Sequence, residues 1–172
     1  MPKFVKFKTK KFWNAPGESH YLTFSTVDKI PYLANDEICL FLAASIERAK
    51  SKHDFVVLAY VFMPDHVHMI LFPLNAEYDM ASISKSIKLS SSKKKAKNAN
   101  MVRDVLWEPG AGYDENFTGA EARVGIIEYI HLNPVRKELV TEPTAFRWSS
   151  AKWYHTGEQG DIECHRFYDL ES

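Results

Sequence analysis

The sequence is poor in several features that would fix a function class at once. Only two cysteines, Cys39 and Cys164, occur in 172 residues. They are far apart and lack metal-type spacing, so a zinc finger has no support and a reducing cytoplasm is the expected setting. Long apolar runs are missing: the longest, residues 55–63, falls far short of the roughly 20 residues that a membrane-spanning helix needs. The basic stretch 1–11 alternates Lys with Phe and Val and lacks the unbroken apolar segment of a secretory signal. No phosphate-binding glycine loop and no G-x-S-x-G elbow is present, so nucleotide hydrolysis and serine hydrolysis are unsupported. Net charge is absent too, with 22 basic residues against 22 acidic ones.

What is present describes an ordinary globular chain. Hydrophobic residues make up 45% and charged residues 26%, which excludes disorder, collagen and coiled coil. The length suits one domain over 1–172, large enough to bury a full core. The charge, although balanced, is segregated: residues 1–103 carry 16 Lys and Arg against 9 Asp and Glu, and residues 104–172 carry 6 against 13. Lys3, Lys6, Lys8, Lys10 and Lys11 form one basic cluster, and Lys85, Lys88, Lys93, Lys94, Lys95 and Lys97 form another. Clusters of this kind attract phosphates even on a neutral protein; the alternative is a pair of solvated surface segments.

Hydrophobic periodicity sets the expected elements. Residues 20–27 mix aromatic, β-branched and alternating polar side chains after the Pro16-Gly17 turn former, which predicts a strand. From Asn35, a good N-cap, apolar residues recur at helical spacing through Ala49, predicting a helix that ends near Ser51. Residues 55–62 and 67–72 flank a Pro64-Asp65 turn and predict a hairpin. Residues 80–97 predict a helix with a thin apolar stripe, and 104–107 a short fourth strand. The turn-rich stretch 109–116 is expected to be irregular. Thr118 and Glu121 have the spacing of a capping box for a last long helix, expected to stop by Asn133 because Pro134 disfavours the α conformation before it. The order β-α-β-β-α-(β) with a terminal helix is the split βαβ pattern of a ferredoxin-like antiparallel sheet, an α+β fold.

Two constellations carry chemistry. His66 and His68 are two apart in a predicted strand, so both imidazoles project from one face and can share a metal ion; a hydrogen-bonded, half-exposed histidine pair is the other reading. Tyr129 and Asn133 lie one helical turn apart, with the small residues Gly125 and Ala122 behind them on the same face. A tyrosine with open space beside it can act as a nucleophile on phosphorus, and a core aromatic with its hydroxyl at the rim is the alternative.

The stretch Tyr60-Val61-Phe62-Met63-Pro64-Asp65-His66-Val67-His68-Met69-Ile70-Leu71 resembles the signature strand of the single-tyrosine HUH transposases. Tyr129-Ile130-His131-Leu132-Asn133-Pro134-Val135-Arg136-Lys137-Glu138-Leu139-Val140, followed by Pro143 and Trp148-Ser149-Ser150, resembles the catalytic helix and C-terminal mark of the REP-associated branch of these IS200-like enzymes. The likeness extends over about residues 20–150. It implies a transposase that cuts and rejoins single-stranded DNA, with His66, His68 and Asn133 holding Mg2+ or Mn2+ and Tyr129 forming a 5′-phosphotyrosine bond. It further implies single-stranded or hairpin, REP-like DNA as partner, with dimeric and monomeric architectures both in the wider family. The Pro16-Gly17-Glu18-Ser19 approach departs from the Gly-Thr-Ser-Tyr element by which some members read their hairpin. A nucleic-acid-binding relative with the same fold and no mobility is the alternative function.

Overall fold

The computed structural model describes residues 14–92, 102, 104–110 and 112–170. Strand β1 (Ser19–Ser25) leads through two short 3-10 turns into helix α1 (Asp36–His53). The Asn35 side chain accepts the Glu37 N–H as its N-cap, and Asp54 closes the far end in the left-handed conformation. Strands β2 (Phe55–Met63) and β3 (His66–Pro73) form the expected hairpin across Pro64 and Asp65. Helix α2 covers Met80–Ser92 among the described residues, with 93–97 of the expected helix outside them; Ile83 and Ile87 of its thin stripe, and Met80 at its start, are fully buried.

The four strands form one antiparallel sheet in the order β2-β3-β1-β4, the ferredoxin-like arrangement, with β4 at Tyr113–Phe117. This corrects the expected fourth strand at 104–107. There, Trp107 makes a single bridge to Thr26, and Leu106 and Trp107 sink into the core. The strand lies instead in the segment read as irregular from its polar and turn-forming residues. Of its five side chains only Asp114 is buried, so the strand is an edge strand held by backbone pairing to β1, with no apolar alternation to announce it.

Helix α3 (Ala120–Arg136) differs from expectation at both ends. Its N-cap is Gly119, with no side-chain cap, which puts Thr118 and Glu121 one residue out of register for a capping box. The helix also runs past Asn133 with Pro134 inside it. So close to the C-terminus the missing N–H of Pro134 forfeits only one intrahelical bond, and the bonds Lys137 N–H to Asn133 O and Leu139 N–H to Pro134 O close the end. A short terminal helix α4 (Ala151–Thr156) follows.

The sheet is buried on both faces. Leu22, Phe24, Val67, Met69 and Leu71 join α1 and α2 in the larger core. Val61, Met63 and Ile70 point the other way and pack under Ile130 of α3. A bulge between Val57 and Ala59 shifts the phase of β2, so Val57 and Tyr60 share the α1 side while Leu58 and Ala59 share the α3 side. The outer edge of β2 is covered by residues 148–150: Phe62 N–H donates to Trp148 O, Ser150 N–H donates to Tyr60 O, and Tyr60 N–H donates to Ser150 Oγ. The helices therefore divide, with α1 and α2 on one face and α3 on the other.

Candidate active site

Strand register brings the site together. In the β1–β3 ladder Thr23 lies opposite His68, and Ser25 opposite His66. Leu22 and Phe24 face the larger core, so Tyr21 and Thr23 face the α3 side, where the two histidines also project. His68 is buried and His66 half-buried. Their Nε2 atoms stand 3.0 Å apart. His66 Nδ1–H donates to the Asp65 carboxylate at 2.6 Å, while His68 Nδ1 lies 2.7 Å from Tyr21 Oη and 2.8 Å from Thr23 Oγ1. Burial, with the neighbouring His66 ring, holds the His68 imidazole down to about 3, so it is neutral at ordinary pH.

Helix α3 delivers the tyrosine. The Tyr129 ring meets His68 edge-on, with ring centroids 5.9 Å apart and planes at 73°. The Arg136 guanidinium sits 4.8 Å over the Tyr129 ring and donates to the Tyr129 carbonyl at 3.3 Å. A Cβ added at Gly125, one turn back, would meet nothing within 4 Å, so the helix surface is open at that position. Asn133, the next turn on, is buried. Around this cluster Tyr21 stands edge-on to Tyr113, whose hydroxyl donates to Glu115 on β4.

No group of three or more His, Cys, Asp or Glu side chains able to hold a metal occurs among the described residues. The donor chemistry at His66 and His68 nonetheless suits one. Two nitrogens bound to one ion at about 2.1 Å and at right angles are about 3.0 Å apart, the separation found here. With its Nδ1–H given to Asp65, His66 keeps its Nε2 lone pair, and the His68 Nε2 in hydrogen-bond contact with it is free to ligate when the His68 proton sits on Nδ1, beside the Tyr21 and Thr23 hydroxyls. Any third protein ligand at the pair would have to be of another type than these.

The basic cluster is placed only in part. Lys85 is exposed on α2, and Lys88 commits its ammonium to Glu108 O and Gly110 O at 2.7 Å each. Lys93, Lys94, Lys95 and Lys97 lie outside the described residues, as do the lysines of 1–11. Among the other histidines, His20 is structural: fully buried, it donates from Nδ1 to Asp114 at 2.9 Å and reaches Tyr78 Oη from Nε2 at 2.7 Å, tying β1 to β4 and to the approach to α2. Sequence reasoning passed over Tyr21, Thr23 and Arg136. The available signal was the polar alternation of residues 21, 23 and 25, which points toward the histidines only once the β1–β3 register is known.

A four-stranded antiparallel sheet with a histidine pair on a central strand, facing a helix that carries a tyrosine, is the architecture of a tyrosine transposase. The family model for IS200-like transposases matches residues 20–133, and the chain belongs to that family, whose members cut and rejoin DNA. A solved REP-associated tyrosine transposase, bound in its structure to a REP hairpin, is similar at a TM-score of 0.73 and 17% identity over 92% of each chain. A candidate transposase from Deinococcus radiodurans R1 is similar at a TM-score of 0.49 and 19% identity, over 74% of this chain and 95% of its own. No curated protein matches. Among the described residues no helix is long and apolar enough to cross a membrane.

Proposed function

We propose that the chain is a metal-dependent, single-stranded DNA transesterase in which Tyr129 is the nucleophile and His66, His68 and Asn133 hold a divalent cation, Mg2+ or Mn2+. The observation that carries the reading is the edge-on approach of the Tyr129 ring to His68, whose Nε2 converges on that of His66 at 3.0 Å. Bound there, the cation would supply Lewis-acid polarisation of the scissile phosphate. Imidazole ligands make Mn2+ at least as suitable as Mg2+.

The protein's own groups do the rest. Tyr129 Oη bonds to phosphorus and the P–O3′ bond breaks, so the 5′ end stays joined to the tyrosine. The phenolic proton passes to water and the leaving 3′ oxygen takes one up; attack of a 3′-OH on the phosphotyrosine reverses the step and rejoins a strand. The Arg136 guanidinium over the ring favours negative charge as it develops on the phenol oxygen. The lysines of 85–97 supply attraction for the DNA backbone, with Lys85 exposed and Lys88 the least available of those described. The substrate class is hairpin or REP-like single-stranded DNA, supported by the hairpin bound to the structurally similar transposase.

The test is incubation with end-labelled hairpin DNA and Mn2+, reading cleavage and a covalent protein–DNA adduct. Tyr129→Phe keeps the ring and removes the only oxygen able to form the ester, so it should fold and bind DNA but give neither product. His66→Ala and His68→Ala should abolish cleavage with little loss of fold, and Asn133→Ala should be impaired but active, because two histidines and water still hold a weakened cation. An adduct formed by Tyr129→Phe would refute the assignment.

A further inference from the structure

We infer that Tyr21 and Thr23 of β1 are positioning residues for the metal site: their hydroxyls accept the Nδ1–H of His68 and so keep its Nε2 lone pair directed at the cation. The inference rests on the metal-binding reading above and deepens it by naming the partners that set the tautomer of its more buried ligand.

The pleat of the sheet gathers these groups. Residues directly opposite on an antiparallel pair, and those diagonal to them, bring their side chains together on one face. Thr23 is opposite His68 and Tyr21 is opposite Ile70, one diagonal step away. Both hydroxyl oxygens consequently reach the same ring nitrogen, at 2.8 Å from Thr23 and 2.7 Å from Tyr21. The Tyr21 ring also lies nearly parallel to that of His68, with centroids 5.7 Å apart and planes at 12°, which fixes the rotation of the imidazole. An imidazole ligates only through a nitrogen that carries no proton, and the hydrogen bond at the other nitrogen decides which one that is. His66 has a carboxylate in this role, Asp65 at 2.6 Å. His68 has two hydroxyls instead. They are weaker acceptors than a carboxylate, so two together do for His68 what one does for His66, and they leave the α3 side of the sheet free of an extra negative charge where a phosphate must approach. With both hydroxyls removed, the Nδ1–H has no protein acceptor at these positions and the other tautomer, with its proton on Nε2, blocks the ligand.

The experiment measures Mn2+ affinity directly, from the electron paramagnetic resonance signal of free Mn2+, with no DNA present. Thermal midpoints and hairpin binding in chelator are recorded alongside. Outer-shell partners of metal-bound histidines are worth about 10–100-fold in metal affinity, and the double variant Tyr21→Phe, Thr23→Val should lose that much while its metal-free stability and DNA binding stay near wild type. Thr23→Ser, which keeps the oxygen and drops the methyl, should keep wild-type affinity, and Tyr21→Phe alone should fall between wild type and the double variant. A double variant that binds Mn2+ as tightly as the wild type overturns the inference, as does a Thr23→Ser loss equal to that of Thr23→Val, which would make the effect one of packing. Failure of the wild type to bind Mn2+ any better than His66→Ala would instead remove the metal reading and this inference with it, so the two failures are told apart by the wild-type measurement.

Discussion

Protonation of His131 should make the fold acid-sensitive in a calculable way. His131 sits on α3, buried against residues 148–150, with Nε2 2.8 Å from Ser150 Oγ and its ring edge-on to Tyr154. The same Ser150 clamps the outer edge of β2 through Tyr60, so the histidine joins helix α3 to the segment that covers the sheet. Burial lowers its pKa from the ordinary 6.5 to about 4. Between those values the unfolded chain binds the proton and the folded one does not. The contribution of His131 is therefore fully present above pH 6.5 and is lost as pH falls through 4. Linkage sets the loss at about 2 kcal/mol at pH 5 and about 3 kcal/mol near pH 4. The assay is urea unfolding in chelator at pH 7.5 and pH 5, on the wild type and on His131→Gln, which reaches toward Ser150 but does not titrate. The groove beside His131 also contains Glu128, Glu142 and His155, which both proteins share, so the difference between the two isolates position 131. Equal loss of stability on acidification in the two proteins would refute the reasoning.

Two further outcomes are expected. Gly112, at φ +83° just before β4, has no room for a side chain, because an added Cβ would lie 2.4 Å from the Thr23 carbonyl oxygen. Gly112→Ala should therefore destabilise the protein by about 1–3 kcal/mol, seen as a lower urea midpoint, and an unchanged midpoint would mean that β4 is not held against β1 as described. Replacing Lys93, Lys94 and Lys95 with Ala should weaken binding to all single strands alike and lower the log–log salt slope by about 0.7 for each phosphate that is no longer neutralised; an unchanged slope would make the segment a solvated surface with no part in DNA binding.

Local signals in the sequence determined most of the architecture. The Asn35 cap, the 3.6-residue period through Ala49, the Pro64-Asp65 turn between two β-prone runs and the thin stripe of Ile83 and Ile87 each act over a few residues, and each element formed where its own residues direct it. His66 and His68 were legible because a period of two puts them on one face whatever the neighbouring strands do, and Tyr129 with Asn133 because one helical turn does the same. Tertiary structure decided what depends on pairing between distant segments. Strand β4 exists because backbone groups of 113–117 satisfy the free edge of β1, a condition that polar side chains do not encode. Helix α3 passes through Pro134 because so close to its end the proline costs one bond, while packing of Ile130 into the core holds the helix in place. The placing of Tyr21 and Thr23 beside His68 follows from the β1–β3 register, across sequence separations of 47 and 45 positions. No local window contains that register; it is fixed only when both faces of the sheet are buried at once, since a slip by one residue would turn Leu22 and Phe24 out of the core and carry the hydroxyls away from the histidines.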